Sequence, residues 1–131
     1  YYCDNRFKGR KPISIQIENC TVENCDKLLD YGFNDPKRIW IKNKPMERIC
    51  FNNVKVNNVK GASELYAPEF LPLEIEIKNC IFSDYGQKFA LFENTHFCFE
   101  NVEFKGEIPY LTDLNGAVFE ILQKKKENER Q

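Results

Sequence analysis

Apolar and polar residues alternate along four stretches of the chain, and in each the alternation slips by one place at an asparagine. The stretches are Ile15-Gln16-Ile17-Glu18-Asn19-Cys20-Thr21-Val22, Ile49-Cys50-Phe51-Asn52-Asn53-Val54-Lys55-Val56, Ile75-Glu76-Ile77-Lys78-Asn79-Cys80-Ile81-Phe82 and Phe97-Cys98-Phe99-Glu100-Asn101-Val102-Glu103-Phe104. A period of two predicts strands. In the first copy Ile15 and Ile17 share a face, yet the next apolar pair, Cys20 and Val22, stands one residue out of step, with Asn19 as the extra residue. In a straight strand that slip would send the second apolar pair to the opposite side. An asparagine, which tolerates the left-handed conformation, can instead bend the chain so that both flanking strands face one interior. The slip recurs at Asn24 before Cys25 and at Asn58 before Val59, and Asp84 and Gly106 take the same place in later copies. Two bends per copy predict a coil.

Asn19, Asn53, Asn79 and Asn101 are 34, 26 and 22 positions apart, intervals that suit coils with insertions of uneven length. No Asn-Gly turn of a hairpin is expected in the chain. The predicted fold class is all-β, a parallel β-helix of about four to five coils. Stacking would place the four asparagines in a ladder, each amide donating to one neighbour and accepting from the other. Ile17, Phe51, Ile77 and Phe99 would form one interior column, and Cys20, Val54, Cys80 and Val102 another. On this reading Asn is a turn former and Cys a small apolar filler. Segments 26–45, 62–72 and 87–94 complete the coils as connections punctuated by Pro36, Pro45, Pro68 and Pro72. Within them Arg38-Ile39-Trp40-Ile41-Lys42 and Phe89-Ala90-Leu91-Phe92 alternate well enough to be strands, and Ala117 to Ile121 is the last predicted core strand. Residues 1–122 are expected to form one β domain and 123–131 a polar tail.

Composition narrows the classes. Nineteen basic and twenty acidic residues leave a formal charge of −1, which gathers neither nucleic acid nor anionic lipid, and no apolar run approaches the length of a membrane span. The opening Tyr1-Tyr2-Cys3-Asp4 carries no initiator Met and no signal-peptide pattern, so a longer parent is expected. Six cysteines occur without a Cys-x-x-Cys pair and beside one histidine, which argues against zinc, and no cofactor is expected. Cys20 and Cys80 fall two coils apart, beyond disulfide reach at about 4.8 Å per strand. Free buried thiols are expected, and they favour the cytoplasm over secretion.

The apolar-x-apolar-x-Asn-(Cys/Val)-x-apolar phrase resembles the right-handed, pectate-lyase-like parallel β-helix proteins. Within that group, residues 44–54 (Lys-Pro-Met-Glu-Arg-Ile-Cys-Phe-Asn-Asn-Val) are similar to the C-terminal coils of bacterial polygalacturonase-type glycoside hydrolases, and residues 72–79 (Pro-Leu-Glu-Ile-Glu-Ile-Lys-Asn) to the coil that follows. The resemblance spans most of residues 11–121 and implies a right-handed coil. It does not extend to the Asn-Thr-Asp, Asp-Asp, Gly-His-Gly and Arg-Ile-Lys motifs that serve catalysis in such enzymes, because none occurs here. Inverting hydrolysis needs an acid and a base about 6.5–9.5 Å apart, and the predicted columns offer no such pair. Asp84 reads as a turn residue and His96 as a rim residue of a turn, so no catalytic residue is assigned.

The expected role is therefore a non-catalytic, C-terminal segment of a pectin- or polygalacturonate-degrading hydrolase, capping the coil and contacting an oligosaccharide. The sugar-contact candidates are Trp40, Tyr31 and Tyr66, whose rings could stack on sugar faces, together with His96. The alternative is a stand-alone carbohydrate-binding or adhesion module. A calcium-dependent lyase ranks below both, since no acidic cluster is evident. An open first coil, around Tyr1 to Ile13, is the expected site of self-association.

Overall fold

The computed structural model describes residues 13–32 and 46–123. Nine strands occur in this region and no helix: β1 (Ile13–Cys25), β2 (Asp30–Gly32), β3 (Met46–Val59), β4 (Ser63–Tyr66), β5 (Leu73–Tyr85), β6 (Lys88–Glu93), β7 (Thr95–Lys105), β8 (Tyr110–Asp113) and β9 (Val118–Glu120). The chain alternates between two sheets. Odd strands build one, ordered β1-β3-β5-β7, and even strands the other, ordered β2-β4-β6-β8 with β9 at its end. Every pairing is parallel except β8 with β9.

The long strands are bent where the slips lie. Asn19, Asn53, Asn79 and Asn101 have φ between 53° and 58°, and Asn24, Asn58 and Asp84 between 54° and 61°, with Gly106 at 101°. Only a bend at each lets the two halves of one strand bury side chains into the same interior. Cross-strand register then stacks equivalent residues: Ile17 on Phe51, Phe51 on Ile77, Ile77 on Phe99, and likewise Cys20 on Val54 and Cys80 on Val102. Phe51, Ile77 and Phe99 are at most 2 % exposed. Each such side chain contributes about 1.5–3 kcal/mol by leaving water. Phe82 stacks on Phe104 at 5.0 Å and meets Phe89 edge-on at 5.4 Å, which ties the two sheets together.

The asparagine ladder exists but is staggered. Asn53 Nδ2 donates to Asn19 Oδ1 at 2.7 Å and Asn101 Nδ2 to Asn79 Oδ1 at 2.8 Å, whereas Asn79 Nδ2 donates to Asn52 Oδ1 at 3.0 Å, not to Asn53. Two adjacent asparagines on β3 allow this exchange. A second pair joins Asn58 Nδ2 to Asn24 Oδ1 at 2.7 Å, and a further left-handed residue outside the phrase, Asn94 (φ 52°), donates its amide to Ala67 O.

Four expectations need correction. Segments 26–45 and 62–72, expected as connections, contain β2 and β4, which belong with β6, at the strand expected over Phe89–Phe92, and with β8 to a second sheet, because strands of three or four residues are too short to show a period. Ala117 to Ile121 is not a core strand: β9 runs antiparallel to β8, Val118 and Phe119 are 61 % and 46 % exposed, and only Ile121 is buried. A hairpin with an Asn-Gly turn does occur, at Asn115-Gly116, where Gly116 has φ 86° and Asp113 Oδ1 accepts from the backbone N–H groups of Asn115 and Ala117. Finally, Gln123, assigned to the tail for its polarity, pairs with Phe99 in a parallel bridge. Arg38–Lys42 lies outside the described residues.

Asn53→Ala removes both a side chain suited to the left-handed bend and an amide bond, and is expected to cost about 1–3 kcal/mol in urea unfolding. Asn53→Gly keeps the bend and is expected to lose about 1 kcal/mol. Equal losses in the two variants would mean that the bend needs no special residue.

Candidate functional site

Outward-facing residues of the odd-strand sheet line up as strictly as the inward ones, so charges two residues apart on one strand meet charges on the next. Register places Arg48 beside Glu74 and Glu74 beside His96. Arg48 Nη2 donates to Glu76 Oε1 at 2.5 Å, Lys78 Nζ lies 3.5 Å from the same oxygen, and His96 Nδ1 lies 2.8 Å from Glu74 Oε2. The hydrogen bond from Arg48 is the largest influence on Glu76 and holds its carboxyl below the ordinary range. A carboxylate kept ionised in this way cannot serve as a general acid, which needs its proton near neutral pH. The row favours strand register, its exposed pairs contributing little each.

A groove of about 360 Å³ opens at the other edge of the fold, lined by Asp84, Gln87, Lys105, Glu107 and Tyr110 among others. It forms where β5 and β7 turn toward β6 and β8. Tyr110 is half exposed and offers an aromatic face, Lys105 a cation and Gln87 an amide. Asp84 borders this groove, but its φ of 54° and its register opposite Asn58 give it the bend position predicted from the sequence. Among the described residues no three His, Cys, Asp or Glu side chains converge to hold a metal, and no helix is long and apolar enough to cross a membrane.

The sugar-contact candidates are scattered. Tyr31 is 4 % exposed in the core, its hydroxyl accepting from Met46 N at 3.2 Å, so its ring offers no face to a ligand; this corrects the expectation. Tyr66 is half buried on β4 and donates to Glu64 Oε1 at 3.4 Å, while Glu64 pairs with Lys27. His96 is exposed on β7, in a different sheet from Tyr66. Trp40 lies outside the described residues. Tyr110, Lys105 and Gln87 were missed because they sit outside the repeated phrase, where the sequence marks them only as an aromatic and two polar residues between bends.

All five described cysteines are free thiols. The expectation of burial holds for Cys50 and Cys80, whereas Cys20 is exposed at the sheet edge. Desolvation pushes the Cys80 thiol up, which suits a filler better than a nucleophile. Comparison with protein-family models, with curated proteins and with solved structures finds no match.

Burial pushes the Tyr85 hydroxyl up to about 12 while it donates to Phe89 O at 3.2 Å. The folded state holds this proton more tightly than the unfolded state, which releases it near pH 10, so stability is fully present below about pH 10 and falls as pH rises toward 12. Urea unfolding is expected to give a constant midpoint from pH 8 to about 10 and a declining one above. In Tyr85→Phe that alkaline decline is expected to be smaller; an unchanged decline would assign it to other groups.

Proposed function

We propose that the chain is a segment of right-handed parallel β-helix that serves as the non-catalytic, terminal part of a polygalacturonase-type glycoside hydrolase, stabilising the coil and contacting the polysaccharide. The observation that supports this most is the alternation of parallel strands between two sheets, with left-handed asparagines stacked at equivalent bends. Parallel crossovers in one sheet are right-handed in about 98 % of cases, which favours that hand for the coil. The phrase at these bends is the one that resembles polygalacturonase coils.

A non-catalytic role rests on the charged groups. Glu74 and Glu76 are engaged by His96 and by Arg48 with Lys78, and Asp84 stands at a bend. The Glu76 carboxyl is held below the ordinary range by Arg48, the reverse of what a general acid needs. The proposed sugar contact is the groove beside Tyr110, where an aromatic face could lie against a pyranose ring and Lys105 could meet a uronate carboxylate.

The chain alone is expected to release no reducing ends from polygalacturonate, and oligogalacturonate titration is expected to shift the resonances of Gln87, Lys105 and Tyr110. Turnover that disappears in Asp84→Asn or His96→Ala would overturn the non-catalytic reading. Absence of any shift at the groove would overturn the sugar contact.

A further inference from the structure

The two ends of the strand stack differ. At the β7 end the edge is occupied: Gln123 bridges to Phe99, its Oε1 accepts from Val102 N at 2.8 Å and its Nε2 donates to Val102 O at 2.7 Å. The neighbouring even-strand sheet is closed by β9 lying antiparallel on β8. At the β1 end nothing among the described residues plays that part, and β1 is the outermost strand of its sheet.

β1 is also the described strand of the phrase whose interior columns are least covered, although Ile17, Val22 and Cys25 still pack against the core. Ile15 is 37 % exposed, while Ile49 and Ile75 in the same column are 3 % and 1 % exposed. Cys20 is exposed, whereas Val54 and Cys80 are buried. Among the described residues no strand lies beyond β1 to cover these faces.

The amides say which neighbour fits. In the aligned pairs the later asparagine donates Nδ2 to the Oδ1 of the earlier one: Asn53 to Asn19, Asn58 to Asn24, Asn101 to Asn79. On β1 the Oδ1 atoms of Asn19 and Asn24 are taken, which leaves two Nδ2 donors five residues apart, at fixed bends, on the open side. We propose that the edge of β1, which no described residue pairs with beyond β3, is a docking surface for a further strand of the same phrase, parallel to β1, with asparagine oxygens seated over Asn19 and Asn24. Backbone hydrogen bonds supply the affinity of such an added strand, and the apolar columns and paired amides supply its register.

A second copy of the chain does not meet these requirements. Its β7 edge is bound by Gln123, and two β1 edges related by a twofold axis would run antiparallel and set their bends out of register. The proposal deepens the β-helix reading without using its sugar chemistry, so a negative polygalacturonate assay leaves it standing. Conversely, a peptide that fails to bind leaves the internal parallel register untouched.

The probe is a fluorescent peptide of residues 46–59 with Cys50→Ser, which carries the phrase and both asparagines. It is expected to bind the folded chain saturably at one per chain and to slow amide exchange along β1. Replacing Asn53 and Asn58 in the peptide by Ala is expected to weaken binding at least about tenfold, through the loss of two amide acceptors. These substitutions leave the protein itself intact. Absence of saturable binding, equal binding by the alanine peptide, protection on β7 in place of β1, or self-association of the chain that the peptide does not reverse would each overturn the proposal.

Discussion

A strand that must bend without turning its apolar side to water needs a residue in the left-handed region, and this requirement organises the whole molecule. Asparagine meets it at seven non-glycine bends and aspartate at one, all with φ between 52° and 61°. Its side chain adds something glycine lacks, an amide that can join the bend above to the bend below. Once the bends coincide, the register of every flanking residue follows, because each side chain is a fixed number of positions from its bend. The apolar columns, the charged rows on the outside and the close backbone approach at Gly86, where a Cβ would come within 2.9 Å of Lys60 O, all depend on that alignment.

The parts of the fold that repeat were legible in the residues. Asn19, Asn53, Asn79 and Asn101 mark the bends, and the pairs Ile17 with Phe51 and Cys80 with Val102 follow by counting from them. The parts that do not repeat were hidden. β2 and β4 are too short for alternation to stand out, and the shift of the Asn79 bond from Asn53 to Asn52 depends on geometry within a doubled asparagine. Gln123 looks like the start of a polar tail, yet its amide is suited to a strand edge because it offers one donor and one acceptor. The same limit applied to the groove. Tyr110, Lys105 and Gln87 belong to different elements, and only the turns after β5 and β7 bring them together. Tyr31, an aromatic in a segment expected to be a loop, was drawn into the core by β2.

The contrast between the two ends gives the stack a direction. An open parallel edge with apolar columns is an invitation to pairing, and natural sheets cover or blunt such edges. Here Gln123 and the β8–β9 hairpin perform that task at one side, with Asn115-Gly116 supplying the turn. The proposed place of the chain at the end of a longer coil agrees with this asymmetry, as does the pairing of its outer carboxylates with cations.

The central claim is that the four phrases lie side by side, parallel and in register. Nuclear Overhauser contacts between backbone amide and α protons of labelled chain test it directly. The account predicts contacts linking Glu18 with Asn52, Asn52 with Lys78 and Lys78 with Glu100 in the parallel pattern, together with contacts between the side-chain amides of Asn19 and Asn53. An antiparallel pattern among these residues, or contacts displaced by one or more positions, would contradict it.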